Sequence, residues 1–459
     1  MAIEEIIKKF SEVFEGEMIF PENDRYDKAR KLWNGLYNKY PAAIARCGKP
    51  SDVVAAVNFV RENDLTFSVR GGGHDYAGNS VCDDGLVIDL SSMNKVEVDP
   101  NIKKAIVQGG ATVGEFDAAA QKHGLATTTG TVSTIGIGGL ALGGGSGYLS
   151  RRFGMTLDNV VSVEIVTADG RHILASAEEN SDLFWAVRGG GGNFGIVTSF
   201  KFRLHKVGRK VLSFQAYFPY EQSREVLEFY RDFMAKASDE LQCYAFFLNV
   251  PAVEPFPKEY HGKTTCAFIA CHTGDPEKGK EELQPLHNFG DPFLKFIQPM
   301  EYTALQKSFD AGVPKGLRWF TKAHYLSEIS DTAIDILEEY TQQLPGAFTM
   351  TYLEPMGGMV KRIKSSATAF PHRDKAYSLH ILPGWGEAEK DKENIDWAEE
   401  FHRTLQKETV GGVYVNLMSH DEEERVTAAY VQNYDRLVEI KKKWDPDNLF
   451  RSNHNIDPG

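Results

Sequence analysis

Residues 68–78 read SVRGGGHDYAG, a predicted short strand that opens directly into three consecutive glycines and a histidine. Two further glycine runs follow, TIGIGGLALGGGSGY at 134–148 and WAVRGGGGNFGIV at 185–197. Successive glycines after a strand leave main-chain N–H groups open to an anion such as a pyrophosphate. They also let a flat ligand approach the backbone closely, because no Cβ stands in the way. One run could serve a turn alone, but three within about 130 residues indicate a ligand site.

The third run also has the GxGxxG spacing of a dinucleotide fingerprint, at Gly190, Gly192 and Gly195. That fingerprint needs a strand before it and a helix after it. Residues 196–204 instead end in an alternation of apolar and polar side chains, which predicts a strand. A nicotinamide-binding Rossmann fold is therefore the disfavoured alternative.

Composition excludes several classes of protein. The 459-residue chain carries 51 Lys and Arg against 64 Asp and Glu, a net charge of −13, so we expect no nucleic-acid partner. Its five cysteines form no CxxC pair, and its histidines and carboxylates lack metal-ligand spacing, so we expect no metal and no disulfide scaffold. No long apolar run and no signal peptide are present, which predicts a cytoplasmic protein that does not enter a membrane.

The residue composition of the sequence changes near Lys206. Before Lys206, short predicted strands and helices alternate among the glycine runs. After it, glycine becomes less frequent and aromatic residues become more frequent. The second part predicts a mostly antiparallel sheet covered by helices, so the whole chain is expected to be an α+β protein. The patterns predict helices at 222–237, 276–288, 331–344, 394–409 and 421–443, and strands at 243–249, 264–271, 347–354 and 376–382.

Five segments together resemble one protein family, the berberine bridge enzyme-like flavoproteins of the vanillyl-alcohol-oxidase/PCMH superfamily. They are RGGGHDYAG at 70–78, TIGIGGLALGGGSGYLSRRFGMTLDNV at 134–160, the run at 182–198, TAFPHR at 368–373 and the tail at 434–458. The resemblance extends nearly from end to end. It implies a PCMH-type FAD-binding domain of two α/β subdomains, built from 1–206 and 413–459 with its core at about 37–206. A substrate-binding domain with a helix-covered antiparallel sheet, 207–412, would lie between them.

The resemblance also implies how FAD is held. The histidine of the GGH motif, here His74, bonds covalently to the flavin 8α-methyl group in this family. Many members add a second bond from a cysteine, but the matching position here is Val132. We therefore expect a singly attached flavin, as in amine-oxidising members. The family pattern predicts these cofactor-binding residues: Arg70, Gly71, Gly72, Gly73, His74, Asp75, Thr134, Ile135, Gly138, Gly139, Gly143, Gly144, Gly145, Gly147, Tyr148, Asp158, Asn159, Gly195, Ile196, Val197, Asn416, Asn453 and Asn455.

Three side chains are candidate catalytic groups. A base that takes a proton from the substrate eases hydride loss from the adjacent carbon, and histidine suits that role near neutral pH. His380 stands five residues before Trp385, where similar enzymes carry a catalytic Glu or a substrate-contacting Gln; the alternative is a core histidine. Tyr414, in the family's Y-x-N segment, is the second candidate base, and Tyr148 is expected near the flavin. His372 and Arg373 are expected to be positional, whereas Tyr352 and Glu354 are candidates to line the pocket.

The expected function is an FAD-dependent oxidoreductase. It would transfer a hydride to flavin N5 from an alcohol or amine carbon of a small molecule, such as a sugar, an oligosaccharide or a heterocyclic metabolite. Dioxygen or another acceptor would reoxidise the flavin. In relatives the residue beside flavin C4a tends to be Val in oxidases, and Ile135 occupies that place, which suggests slow reaction with dioxygen. A flavin-binding protein without turnover is the alternative.

Overall fold

The computed structural model describes residues 3–459, apart from the side chain of Glu423. Two sheets form the first half of the chain. One is four-stranded, with the order Glu17–Ile19, Ala43–Arg46, Leu86–Asp89 and Phe67–Arg70, and its last three strands are parallel. The other is five-stranded and antiparallel, with the order Val96–Asp99, Lys104–Gln108, Ile196–Arg203, Val160–Val166 and His172–Ser176.

Short helices connect and cover these two sheets. Thr112 and Glu115 form a reciprocal capping box at the start of one of them, which satisfies otherwise unpaired N–H groups. The strand pair Leu125–Ala126 and His205–Lys206 closes this half. The helices are Ile3–Ser11, Tyr26–Arg30, Pro50–Glu62, Val113–Gln121, Ile137–Gly143, Ser150–Phe153 and Ser181–Ala186.

A seven-stranded antiparallel sheet dominates the second half. Its strand order is Leu294–Glu301, Lys210–Pro219, Thr264–His272, Leu241–Asn249, Met350–Pro355, Tyr377–Leu382 and Lys322–Leu326. Four helices bury apolar residues against one face of this sheet: Ser223–Met234, Pro276–Asn288, Asp331–Thr341 and Asp391–Leu405. Tyr148 and Leu149 of the first half pack against its other face. The α+β prediction is therefore confirmed, and the first half meets the face of the sheet opposite these four helices.

Smaller elements complete this half of the chain. Arg318–Trp319 pairs with Gly384–Trp385, and the short helices Tyr302–Leu305 and Gly358–Arg362 lie between strands. Three strands of the large sheet were not predicted from the sequence: Lys210–Pro219, Leu294–Glu301 and Lys322–Leu326. The first is buried along almost its whole length, so it shows no alternation of apolar and polar residues.

The C-terminal tail returns to the five-stranded sheet. The predicted continuous helix over 421–443 is wrong, because the segment breaks into 3₁₀ turns and two α-helices, Val426–Tyr430 and Tyr434–Trp444. Tyr430, Leu437 and Ile440 from these helices join the core of that sheet. None of the helices within residues 3–459 combines the length and the apolar character that a membrane crossing requires.

The break lies at Val431, where φ is 44° and ψ is −120°. This left-handed region suits glycine and is costly for a β-branched residue, by about 1–3 kcal/mol. The strain is next to a residue of the large cavity described below, since Tyr430 lines that cavity.

Replacement of Val431 by glycine is expected to stabilise the protein by about 1 kcal/mol. Glycine removes the strain but adds about 0.5–1 kcal/mol of chain entropy to the unfolded state. The midpoint of thermal unfolding should rise by about 1–3 °C. Val431→Ala is the matched control, because it keeps a Cβ atom, and an equal gain in that variant would contradict the strain explanation.

Candidate active site

One large cavity connects the three glycine runs, the tail and the large sheet. It contains about 1950 Å³ of space free of protein atoms, part of which is open to solvent. The first run contributes Gly71, Gly72, Gly73, His74 and Asp75, and the second contributes Ile135, Gly138 and Gly139. The third run and the tail contribute Gly195, Ile196, Val197, Asn416 and Asn453. The structure therefore brings residues of all three runs to a single site.

His74 lies at one end of this cavity, on the loop that follows strand Phe67–Arg70. The indole of Trp33 stacks on its imidazole, with 4.8 Å between ring centroids, and the Trp33 N–H donates to Gly73 O at 3.0 Å. Burial, together with the positive charges of Lys315 and Arg70, lowers the pKa of His74 to about 3. The imidazole is therefore neutral near pH 7, and its ring nitrogens keep the lone pair that a nucleophile needs.

His380 lies on the wall formed by the large sheet, where it pairs in register with Tyr352 on the neighbouring strand. The Tyr352 ring stacks on the imidazole at 4.2 Å between centroids. The Nε2 atom of His380 is 3.5 Å from Glu354 Oε2, and both side chains are buried. Neither ring nitrogen of His380 has a hydrogen-bond partner among the described residues, and the side chain lines the cavity although it is largely buried.

Glu354 connects His380 to the second glycine run. Its Oε2 atom accepts a hydrogen bond from Ser146 Oγ at 3.0 Å, and Ser146 lines the cavity. A buried carboxylate beside an imidazole stabilises the positive charge that the ring acquires when it takes a proton. Ser146, Glu354 and His380 thus form a connected polar group at the wall.

Tyr414 is held differently from His380. Its hydroxyl oxygen accepts hydrogen bonds from the Gly145 N–H at 2.6 Å and from Asn416 Nδ2 at 3.1 Å. Burial is the main cause that raises the pKa of Tyr414 well above its usual range, so the phenol stays protonated. Both of its acceptor positions are engaged, which favours His380 over Tyr414 as the base.

Many glycines of the second run pack against other segments of the chain and do not line the cavity. A Cβ on Gly143 would stand 1.9 Å from Asn416 Oδ1, and a Cβ on Gly144 would stand 2.8 Å from the Tyr414 ring. These glycines therefore allow the Y-x-N segment to approach closely. Gly143, Gly144, Gly145, Gly147 and Thr134 do not line the cavity, in contrast to the sequence expectation.

Tyr148 is a further correction, because the structure does not place it at the cavity. Its side chain is 2% exposed and lies edge-on against Tyr244, in an aromatic cluster on the face of the large sheet opposite its four covering helices. Tyr148 is not among the residues that line the cavity. We therefore no longer count Tyr148 among the catalytic candidates.

Several other residues that were predicted to contact the cofactor form hydrogen bonds within the protein. Asp158 accepts two hydrogen bonds of 2.8 Å from the Arg373 guanidinium, a buried pair that joins the FPHR motif to the second run. Asn159 donates to Met155 O at 2.9 Å, and Arg70 donates to Ala29 O and Lys31 O. Asp158, Asn159, Arg70 and Asn455 do not line the cavity.

Sequence reasoning missed several aromatic residues at the cavity, among them Trp33 and Tyr430. Neither lies in a motif, so no local signal identified them. All five cysteines are buried and free, and none of them lines the cavity, whereas Val132 does. The structure therefore offers no thiol for a second covalent bond among the residues that line the site.

The cavity fits a large, flat, anionic ligand such as FAD. The main-chain N–H groups of residues 71–75 donate no hydrogen bond to any described residue, as an anion nest requires. A Cβ on Gly139 would meet no atom within 4 Å, so this glycine leaves the cavity open. Several buried polar atoms of lining residues also lack protein partners among the described residues, including Ser80 Oγ, Tyr430 OH and Asn453 Oδ1. A dinucleotide would give these groups acceptors and donors.

Comparison with known proteins agrees with this geometry. Residues 41–176 match the model of an FAD binding domain, and residues 413–457 match a model described as berberine and berberine like. An FAD-linked oxidoreductase of Dictyostelium discoideum is 31% identical, over 99% of this chain and 97% of that protein. (R)-6-hydroxynicotine oxidase of Paenarthrobacter nicotinovorans is 29% identical, over 97% of both chains. The solved structure of 6-hydroxy-D-nicotine oxidase from Arthrobacter nicotinovorans superposes with a TM-score of 0.86 at 28% identity, covering 97% of this chain and 98% of that one.

Fold and cavity together define an FAD-binding oxidoreductase. The chain belongs to the berberine bridge enzyme-like family of FAD-linked oxidoreductases.

Proposed function

We propose that this enzyme carries one FAD, bonded covalently to His74, and oxidises an alcohol or amine carbon of a small molecule. The observation that carries the proposal is that His74 and His380 line the same cavity, on different halves of the chain. His74 suits the covalent attachment, and His380 suits the proton transfer. FAD, when bound, supplies the hydride acceptor for this chemistry.

The chain's own contribution is binding and proton transfer. His380 takes the proton from the substrate O–H or N–H while the adjacent carbon loses its hydride. Glu354 stabilises the protonated ring, and Ser146 holds Glu354 in place. Tyr414 and Asn416 orient the substrate, since the Tyr414 hydroxyl keeps its proton and can donate it in a hydrogen bond.

His74 has the properties that covalent attachment needs. It is neutral near pH 7 because its pKa is about 3, and Trp33 fixes the plane of its ring. The absence of a thiol at Val132 supports a single bond. The attachment tethers the cofactor and raises its redox potential.

We also propose that residues 1–206 and 413–459 form one FAD-binding domain, with 207–412 as the substrate domain. Contacts between the tail and the third glycine run support this division. The buried Lys441 ammonium donates to Asn193 O at 2.8 Å, and Asn193 donates through Nδ2 to His454 O at 3.2 Å. The tail is thereby held against the cavity that it lines.

A named relative and the lining of the cavity both support the proposed substrate class. The 29% identical relative is named as an oxidase of 6-hydroxynicotine, a cyclic amine, and it covers nearly the whole chain. Sugars and oligosaccharides remain within the proposal, although Leu417 stands where carbohydrate-oxidising relatives usually continue Y-x-N with tyrosine. The aromatic wall of Tyr352 and Trp33 suits a ring-shaped substrate.

The test is a screen under nitrogen. Purified protein that stays yellow after acid precipitation carries covalent FAD, and bleaching of the 450 nm band by a panel of cyclic amines, hydroxylated heterocycles and sugars demonstrates turnover. A yellow pellet without bleaching by any panel member would favour the flavin-binding alternative. A colourless protein would contradict the proposal.

Ile135 lines the cavity and is expected to slow the reaction with dioxygen. We expect photochemically reduced enzyme to reoxidise slowly in air, and Ile135→Val to reoxidise faster because the smaller side chain opens space. Stopped-flow absorbance at 450 nm after mixing with aerated buffer measures both rates. Rapid reoxidation of the parent enzyme, with no gain in the valine variant, would contradict this role.

A further inference from the structure

A buried carboxyl group joins the two halves of the chain behind the wall of the large cavity. Asp117 lies on helix Val113–Gln121 and is 3% exposed. Its Oδ2 atom accepts a hydrogen bond of 3.0 Å from Gln306 Nε2, and Gln306 directly follows helix Tyr302–Leu305 of the second half. Its Oδ1 atom accepts a hydrogen bond of 3.4 Å from Thr129 Oγ1. We name these three residues the junction group: Asp117, Thr129 and Gln306.

The junction group holds one end of a segment that forms part of the cavity wall. Gln306 Nε2 also donates to Gly130 O at 2.9 Å, and residues 130–132 line the cavity. The other end of the segment is held at Ser133, whose N–H donates to Asp310 Oδ1 at 2.9 Å. Gln306 and Asp310 both belong to the second half of the chain. The position of this wall therefore depends on the hydrogen bonds that Gln306 makes.

The junction group has too few hydrogens for its acceptors when Asp117 is ionised. Gln306 Nε2 carries two hydrogens but has three acceptors within hydrogen-bond distance, because Thr129 Oγ1 is also 2.8 Å away. Gln306 Oε1 is buried and has no donor among the described residues. A buried acceptor without a donor is costly, and a proton on Asp117 supplies the missing hydrogen.

Asp117 also has no cation beside it. No lysine, arginine or histidine nitrogen of the described residues lies within 4 Å of its carboxylate. Burial is the largest cause that raises the pKa of Asp117 to about 7, whereas the hydrogen bonds from Gln306 and Thr129 and the charge of Lys307 oppose the rise. Asp117 lines a cleft together with the exposed Lys307, so protons from solvent have a path to the carboxyl group.

Few titratable groups face Asp117 from the elements packed against its helix. Burial, and then the charge of Asp117, raise the pKa of Tyr302 well above its usual range, so this phenol stays protonated. Strand Leu125–Ala126 and residues 127–130 carry no titratable side chain. The acids of strand Val96–Asp99 and of the helix itself are exposed: Glu97, Asp99 and Glu115. The charged residues that line the cleft around Asp117 are also exposed: Lys122, Arg209, Glu301 and Lys307.

We propose that Asp117 is a positioning residue for the cofactor cavity, and that its proton decides whether Gln306 holds Gly130 O. With Asp117 ionised, Gln306 must present Nε2 to the carboxylate, and the same nitrogen holds Gly130 O. With Asp117 protonated by solvent, the amide can turn over, so that Oε1 accepts from Asp117 and Thr129 while Gly130 O loses its donor. The proposal rests on the proposed function only in placing FAD in this cavity.

The first experiment titrates the visible circular dichroism of the bound flavin in the purified holoenzyme between about pH 5 and pH 9. We expect a one-proton transition with its midpoint near the pKa of Asp117, about 7. Asp117→Asn should abolish it, because the amide has the shape of the protonated acid and cannot ionise. Glu301→Gln is the matched control, since Glu301 is an exposed carboxylate of the same cleft, and it should keep the transition. An unchanged transition in Asp117→Asn would overturn the proposal.

A second variant leaves the carboxyl group in place. The charge of the exposed Lys307 lowers the pKa of Asp117, so Lys307→Gln should move the midpoint upward, by about half a pH unit. Lys236→Gln removes the same charge just after helix Ser223–Met234, on the far face of the large sheet, and should leave the midpoint in place. A midpoint that ignores Lys307→Gln, or that moves equally with Lys236→Gln, would contradict the assignment to Asp117.

Thermal unfolding gives a readout that does not depend on FAD. The pKa of Asp117 is about 7 in the folded protein and ordinary, about 3.9, in the unfolded chain. The stability from this proton is therefore full below about pH 4 and is lost as the pH rises through 7. The gain in unfolding midpoint of Asp117→Asn over the parent should grow by about 2–4 °C between pH 5 and pH 8.5. Parallel pH profiles of the two proteins would overturn the proposal.

The outcomes distinguish this proposal from the proposed function. A colourless protein that still shows the difference in unfolding would mean that the proposed function had failed while Asp117 keeps its proton as proposed. A yellow protein that shows the difference in unfolding, but no flavin transition near pH 7, would overturn the positioning role alone.

Discussion

Replacement of His74 by alanine is expected to abolish covalent attachment of the flavin. The variant should release all of its FAD into the supernatant on acid precipitation, and any flavin that it binds should have a lower redox potential. The reason is that the neutral imidazole of His74, which lines the cavity, is the proposed nucleophile. Absorbance of pellet and supernatant at 450 nm measures the attachment, and dye titration measures the potential.

His454→Ala is the matched control, because His454 also lines the cavity. That variant should keep a yellow pellet. A yellow pellet from His74→Ala would refute the assignment, and a colourless pellet from His454→Ala alone would transfer the attachment to that residue.

Replacement of His380 by alanine is expected to slow flavin reduction by roughly 10²–10⁴-fold, the usual effect of removing a general base. The measurement is the rate of bleaching at 450 nm under nitrogen with a substrate found in the screen. His324→Ala is the matched control, since His324 is also buried and lies on the neighbouring strand, beside the register position of His380. It does not line the cavity, so its reduction rate should stay within a few fold of the parent.

Glu354 is a positioning residue in this scheme, because it acts through His380. Glu354→Gln should lower the reduction rate less than His380→Ala does, and it should move the pH profile of reduction, since the imidazole loses the carboxylate that stabilises its charge. An unchanged rate in His380→Ala would transfer the role of base to Tyr414. An unchanged pH profile in Glu354→Gln would show that Glu354 has a structural role only.

Local sequence identified much of the site because some of its parts are contiguous in the chain. The loop 71–75 combines its glycines with His74, so the predicted anion nest and the histidine that the family resemblance proposes for attachment are adjacent in the sequence. The absence of cysteine at Val132 was also visible without a structure. The prediction of His380 depended on its spacing from Trp385 within one strand and turn.

Other parts could not be predicted, because they depend on pairing between distant segments. Glu354 meets His380 only because strands Met350–Pro355 and Tyr377–Leu382 are neighbours in the large sheet. Trp33 meets His74 through hydrogen bonds that connect three separate segments. Tyr148 packs in an aromatic cluster and does not line the cavity for the same reason, since a glycine run indicates where the backbone turns but not which side chains it faces.

The sequence by itself indicated a cofactor site and the α+β fold, because glycine runs and hydrophobic periodicity are properties of contiguous chain, and its resemblance to the family indicated FAD and His74 as the proposed attachment residue. Only the tertiary structure decided which groups work together. It removed Tyr148 from the site, occupied the Tyr414 oxygen with two hydrogen bonds, and set Glu354 beside His380. These contacts depend on strand register and on packing between residues that are far apart in the sequence, and no local sequence pattern predicts them.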